Sequence, residues 1–308
     1  MTVRRVPELD DELRRRLGRR FGSGVEGWLD VLPAVLADLA ERWQLELRSI
    51  VQRGSVSVVV RCHTADNRPV VLKLSPDRKR IQDEAAALPR WHTAQVPTVL
   101  AVDESIGALL IEAIEPGTSL AESTDSVSPD ALASLIASLH RNGALEPSLP
   151  PLAERVAHLF EAGWKNYLRR PDLAELIPPE LYVRGRRLAT RLAADAPATV
   201  LLHGDLTPAN VLDGGHARGL VAIDPAPCVG DPAFDALDLV FWRADDLETI
   251  TARVQRMAPA IGAETRRLAQ WCSAFAAMTA LEIAEASKTP DGRMEHLLTL
   301  ACSGTDAW

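Results

Sequence analysis

Several things are scarce in this chain of 308 residues, and each absence narrows what it does. Only four cysteines occur, Cys62, Cys228, Cys272 and Cys302, and no two form a Cys-x-x-Cys pair. A disulfide framework and a zinc site are therefore not expected, and a reducing compartment is. No apolar run approaches the roughly 18 residues that a membrane span needs, and Met1 to Glu12 lacks the apolar centre of a signal peptide. The expectation is a cytoplasmic protein that engages no membrane. Basic charge is not in excess: 34 lysines and arginines face 42 acidic residues, a formal net charge of −8. A nucleic-acid partner, which needs a basic surface to neutralise phosphates, is not expected. A Gly-x-x-x-x-Gly-Lys-Ser/Thr run is missing as well, so phosphates are not held by a P-loop.

What is present suits a soluble globular protein. Hydrophobic residues make up 47% and charged residues 25%, which is ordinary composition for a chain with a sizeable core. The start reads as helix. Residues 8–20 are highly charged, and residues 28–43 place Trp28, Leu29, Leu32, Val35, Leu36, Leu39 and Trp43 on one helical face. The run of arginines from Arg14 to Arg20 reads as a solvated face. From Trp43 the period changes to that of strands: Gln44–Val51, Val56–Cys62 and Pro69–Leu74, with a turn at Ala65–Arg68. A helix over 77–91 and strands near 96–103 and 107–114 complete a five-stranded α+β lobe. After Glu115-Pro116-Gly117-Thr118 the chain is mainly helical, with helices from Ser128 and over 152–170 and 179–195. Short strands are expected at 199–203, 210–213 and 219–223. The one plausible boundary lies near 113–117. It divides a domain over 1–113 (helical extension 1–42, sheet 43–113) from a second over 114–308.

The chemistry concentrates late in the chain. Val200-Leu201-Leu202 runs into His203-Gly204-Asp205, and Asn210 follows in the pattern His-Gly-Asp-x-x-x-x-Asn. Leu220-Val221-Ala222-Ile223 then leads into Asp224-Pro225. Two carboxylates and an amide thus leave short apolar strands at one edge. Phosphoryl transfer needs such a set: a carboxylate to orient a hydroxyl and take its proton, and oxygen ligands for magnesium on the phosphates. Lys73, inside the apolar strand Val70-Val71-Leu72-Lys73-Leu74, needs anionic partners if it is buried. Glu84 on the following helix is the expected carboxylate, with Asp83 adjacent to it.

The loop resembles that of the aminoglycoside-phosphotransferase family within the protein-kinase-like superfamily. The stretch 223–235, Ile-Asp-Pro-Ala-Pro-Cys-Val-Gly-Asp-Pro-Ala-Phe-Asp, is similar to the branch of streptomycin 6-phosphotransferases and hydroxyurea phosphotransferases. The resemblance implies a two-lobed kinase-like fold, with a small N-terminal lobe on a five-stranded antiparallel sheet and a larger, mainly helical C-terminal lobe. It implies ATP (or GTP) with Mg2+ as cofactors, Asp205 and Asn210 as catalytic residues, and Asn210 with Asp224 as metal ligands. Lys73 and Glu84 then serve the nucleotide phosphates. The hairpin loop Val51–Ser57 covers them through Ser55 or Ser57, and backbone groups near Glu112 and Ile114 hold the base. Acceptor pockets of cationic antibiotics in that family are lined by carboxylates, which points to Asp235, Asp238, Glu282 and Glu285. Asp231 reads instead as a structural cap, and His203 and His140 as structural residues.

Two positions depart from the related loops. Thr207 stands two residues after Asp205, where related kinases carry lysine or histidine, and Asp224-Pro225 replaces Asp-Phe-Gly. The expected activity is ATP-dependent phosphorylation of a hydroxyl on an antibiotic that confers resistance, a streptomycin-like aminoglycoside first and a nucleoside antibiotic second. The chain would act as a monomer or homodimer. A metabolite kinase acting on a sugar or amino alcohol is the alternative. A non-catalytic nucleotide-binding module conflicts with Lys73, Asp205, Asn210 and Asp224 all being present, and a glycosidase carboxylate pair leaves Lys73 and Asn210 without a role.

Overall fold

The computed structural model describes residues 6–51, 56–286 and 292–303. The chain forms two compact units, one of residues up to Pro89 together with Val96–Gly117, the other of Arg90–Gln95 with the chain from Thr118 onward. The division therefore falls a little beyond residue 113, and the short segment 90–95 packs with the second unit.

The first unit opens with α1 (Asp11–Phe21), where Asp10 accepts the Leu13 amide at 2.7 Å and Gly22 ends the helix. In α2 (Glu26–Arg42) the spacing of Leu29, Leu32, Leu36 and Leu39 sets four leucines in one stripe, each at most 1% exposed. Burial of each contributes roughly 1.5–3 kcal/mol. Trp28, Val35 and Trp43 share the amphipathic pattern but lie at its margin, only partly buried. The stripe covers an antiparallel sheet built from β1 (Glu46–Val51), β2 (Val58–His63), β3 (Pro69–Leu74), β4 (Val99–Asp103) and β5 (Ala108–Glu112), in the order β1-β2-β3-β5-β4. The helix α3 (Arg78–Ala87) joins β3 to β4. Alternation along β3 sorts its side chains between the two faces of the sheet. Val70, Leu72 and Leu74 point into the cluster beneath α1 and α2, so Val71 and Lys73 point to the opposite face of the sheet.

The second unit is mainly helical. Ser128 caps α4 (Pro129–Asn142) by accepting the Ala131 amide, and Pro129 occupies the first turn where its missing N–H costs nothing. Then come α5 (Leu152–Leu168), α6 (Pro179–Ala194), α7 (Leu237–Phe241), α8 (Leu247–Ala260), α9 (Thr265–Ala286) and α10 (Gly292–Ser303). Gly185 lets α6 lie against α9, since a Cβ there would stand 2.2 Å from the Ala274 carbonyl oxygen. Four short strands form two antiparallel ribbons. The strand β6 (Val200–Leu202) pairs with β9 (Cys228–Gly230), and β7 (Val211–Asp213) pairs with β8 (Leu220–Ala222). The strand β9 had no separate signal in the sequence. No helix among the described residues is long and apolar enough to cross a membrane.

Candidate active site

In the second unit the two ribbons deliver the motif residues. The strand β6 hands the chain to His203, then to Gly204 with φ of 74°. A Cβ at Gly204 would sit 2.1 Å from the Ala226 carbonyl oxygen, so both the left-handed backbone and the close approach demand glycine. Asp205 follows. Its backbone carbonyl accepts from the Thr207 amide and from Asn210 Nδ2, each at 2.9 Å, and Asn210 Nδ2 also reaches Asp205 Oδ2 at 3.1 Å. With two acceptors on that side, the amide nitrogen of Asn210 must face Asp205, which turns Asn210 Oδ1 the other way. A metal would meet Asn210 through that oxygen.

Asn210 precedes β7 and Ile223 follows β8, so the antiparallel register sets them opposite one another. The Ile223 amide donates to the Asn210 carbonyl at 2.9 Å, and the Ile223 carbonyl accepts from His203 Nε2 at 2.9 Å. Asp224 comes next, held at φ of 58°. That left-handed conformation is uncommon outside glycine, is tolerated best by Asp and Asn, and is sustained here by the bonds on either side.

His203 is fully buried, and burial pulls its pKa down despite the neighbouring carboxylates. A neutral ring that donates from Nε2 to a carbonyl is a structural brace. Beneath it lies Asp235, 3% exposed, whose Oδ2 accepts the His203 amide and whose Oδ1 accepts the Gly204 amide, both at 2.9 Å. His140 Nε2 stands 3.0 Å from Asp235 Oδ2. Burial pushes the Asp235 carboxyl up, but His140, His203 and the Gly204 amide outweigh it, and the pKa is held below the ordinary value. Asp235 was expected to line an acceptor pocket. Its placement is different: both oxygens are committed to the loop from below. Asp231 is likewise internal, capping Ala233 and accepting from Arg267 Nε and Trp271 Nε1.

The other acidic residues of that expectation are placed nearer solvent. Asp238, in the first turn of α7, and Glu282 and Glu285, on α9, are all exposed. Yet burial, then the charges of Glu282 and Asp205, push the Asp238 carboxyl up to about 7. Glu282 is raised too, by burial and by Glu285 and Asp205. Both side chains thus meet water while standing within range of the Asp205 charge. With Asp205 they form an acidic wall, whose mutual repulsion raises the Asp238 and Glu282 carboxyls.

One feature had no local signal. Arg155, from the first turn of α5, donates from Nη2 to Asp205 Oδ1 at 2.8 Å and from Nε to the Gly204 carbonyl at 2.9 Å. Asp205 thus carries one bond on each oxygen and keeps a further lone pair on each for a hydroxyl.

In the first unit Lys73 Nζ meets both oxygens of Glu84, at 2.7 and 2.6 Å, with the two side chains 4% and 2% exposed. Asp83 is turned away and pairs with Lys79 on the surface. Ser57 is buried, and Ser55 lies outside the described residues. Glu112, at the end of β5, accepts from the amide and hydroxyl of Thr98, both at 3.1 Å, and its own amide donates to the Thr98 carbonyl. Ile114 is half-buried just beyond it.

Among the described residues no three His, Cys, Asp or Glu side chains gather as a metal cage. Asn210 and Asp224 nonetheless fit magnesium, which takes one or two protein oxygens and completes its shell with phosphate and water.

Comparison with known proteins places the chain among phosphotransferases. The profile of the family described as aminoglycoside/hydroxyurea antibiotic resistance kinase matches residues 42–287. The streptomycin 6-kinase of Streptomyces griseus is 30% identical over 272 residues, covering 85% of this chain and 86% of that protein. The hydroxyurea phosphotransferase of Kitasatospora aureofaciens is 28% identical over 271 residues, covering 86% and 77% respectively. Among solved structures, the choline kinase of Streptococcus pneumoniae superimposes with a TM-score of 0.58 at 16% identity, over 91% of this chain and all of that one. That last likeness speaks for a shared kinase-like fold.

Proposed function

The chain belongs to the aminoglycoside/hydroxyurea antibiotic resistance kinases, and from that membership we propose that it moves the terminal phosphoryl group of ATP onto a hydroxyl of a cationic antibiotic. The observation that carries the reading is the hold on Asp205. Its carboxylate is fixed by Asn210 and Arg155 and keeps a lone pair on each oxygen. In that position it orients the acceptor hydroxyl and takes its proton as the oxygen attacks phosphorus. Asn210 Oδ1 and Asp224 are the groups that would hold magnesium, which when bound offsets phosphate charge. Lys73, kept in place by Glu84, is the cation we assign to the phosphates of the nucleotide.

The acidic wall supports the choice of acceptor. Asp238 and Glu282 lie within electrostatic range of Asp205. A cationic acceptor gains from carboxylates clustered beside the reacting position, and a neutral molecule such as hydroxyurea does not. A streptomycin-like aminoglycoside is therefore the first acceptor to test.

The test is to incubate the protein with ATP, magnesium and a panel containing streptomycin, other aminoglycosides, a nucleoside antibiotic, hydroxyurea and choline, and to read each acceptor by mass spectrometry. Gain of one phosphate on a cationic antibiotic is the expected result. Gain on choline or another amino alcohol alone overturns the antibiotic assignment in favour of a metabolite kinase.

A further inference from the structure

We propose that Arg155 is a positioning residue for phosphoryl transfer, supplying from α5 the fixed positive charge that the catalytic loop itself lacks. The proposal rests on the kinase reading above. Two residues after Asp205 the loop carries neutral Thr207, whose backbone amide bonds back to the Asp205 carbonyl. The charges that act on Asp205's surroundings are otherwise mostly negative: Asp238, Glu282 and, below the loop, Asp235. A transferring phosphoryl group adds further anionic oxygens. A bare carboxylate in such company is pushed away from its own reacting position by like charge.

The grip of Arg155 answers both parts of this problem. Nε and Nη2 lie on one edge of a planar guanidinium, so the Gly204 carbonyl and Asp205 Oδ1 are held by a single rigid fork. The fork ties the side-chain torsion of Asp205 to the peptide that precedes it. Asn210 fixes the other carboxylate oxygen. The Arg155 side chain is only 17% exposed and that of Asp205 29%, so water weakens the pair less than it would on an open surface. The Arg155 charge also opposes the burial and like charges that raise the Asp238 carboxyl. One cation therefore serves the base and the acidic wall together. The charge comes from a helix far upstream in sequence rather than from the loop.

The test compares wild type with Arg155→Met, Arg155→Gln and Arg155→Lys. Phosphate transfer to streptomycin and phosphate release to water are measured, alongside magnesium–ATP affinity by calorimetry. Arg155→Met should lower kcat about 10- to 100-fold while the Kd for magnesium–ATP stays within about twofold, because a misplaced base slows chemistry and leaves nucleotide binding alone. Added guanidinium ion should restore about fivefold or more of the lost rate in Arg155→Met and none in wild type. Arg155→Lys should fall between, since ammonium keeps the charge and loses the two-pronged geometry. A purely structural role predicts no guanidinium rescue and a loss of affinity in parallel with rate. Arg155→Met within about twofold of wild type in kcat overturns the proposal, as does loss of the folded state in both Met and Gln variants. A wild-type protein that binds no magnesium–ATP overturns the kinase reading and this proposal with it.

Discussion

Asp235 holds Gly204 from below: its Oδ1 accepts the Gly204 amide at 2.9 Å, while its Oδ2 accepts the neighbouring amide of His203. Replacing Asp235 by Asn turns an amide N–H₂ toward one of those backbone donors, in a position buried away from the surface. The expected cost is about 3–5 kcal/mol, as for a broken buried charged contact, read as a lower urea midpoint. The variant should also lose turnover, because Asp205 rides on the same loop.

Asp235 also fixes a pH signature. Its folded pKa lies below its unfolded value, so its stabilisation is complete above about pH 4 and is lost as pH falls through the folded value. Urea midpoints measured through the acid range should therefore decline less for Asp235→Asn than for wild type. Equal acid-side slopes would show that this carboxylate does not contribute.

Lys73 and Glu84 make a separate prediction. Glu84→Met leaves an ammonium buried without that carboxylate and should destabilise the first unit by about 3–5 kcal/mol. The double variant Lys73→Met/Glu84→Met should recover most of that loss, because an apolar pair of similar volume suits the same space. Nucleotide affinity should stay low in the double variant. If it returned with stability, Lys73 would be a scaffold residue only.

Asp238 should make acceptor binding pH-dependent. Its carboxyl titrates at about 7, raised by burial, Glu282 and Asp205. Ionisation as pH rises through that value adds a negative charge to the wall, so affinity for a cationic acceptor should increase from pH 6 to pH 8. For folding the sign is opposite. A carboxyl raised above its unfolded value contributes fully below about pH 4, and that contribution drains away as pH climbs toward about 7. Asp238→Asn should flatten the acceptor-binding profile, as followed by calorimetry at several pH values.

Substitutions at Asp205 and Asp224 should separate chemistry from binding. Asp205→Ala should lower turnover by about 10²–10⁴-fold with magnesium–ATP still bound, whereas Asp224→Ala should weaken nucleotide binding only when magnesium is present. Single-turnover rates and paired calorimetric titrations with and without magnesium check the two halves. Near-normal turnover in Asp205→Ala would remove the base assignment.

Much of the architecture was legible because its signals are local. The leucines of α2 repeat at helical spacing, the β-branched runs alternate, and Ser128-Pro129 announces a helix start. The run from His203 to Asn210 is likewise short and contiguous, and the apolar strand around Lys73 carries its own anomaly. What escaped depends on contacts distant in sequence. Arg155 looks like any charged residue in the first turn of an amphipathic helix until the fold lays it against Gly204 and Asp205. Asp235 and Asp238 are two acids close together in a single stretch, and nothing in their order says that one is sealed beneath the loop while the other meets water. Residues 90–95 follow a helix of the first unit and carry no break in composition, yet Trp91 bridges to Gly143 and Gln95 accepts from the Ala222 amide, so they pack with the second. Trp28 and Trp43 fit the helical stripe by spacing alone, yet they lie at its edge, only partly buried.

The strand that carries Lys73 is the middle one of five, with β2 on one side and β5 on the other. To release that lysine the sheet must part along two seams at once, whereas β1 and β4 can fray from a single side. Amide protons of β3 should therefore exchange with solvent last in the first unit, when the whole of it opens. The cation assigned above to the phosphates would thereby sit in its most slowly breathing segment. Fluctuation at the sheet's margins could then go on without disturbing the hold proposed for the nucleotide.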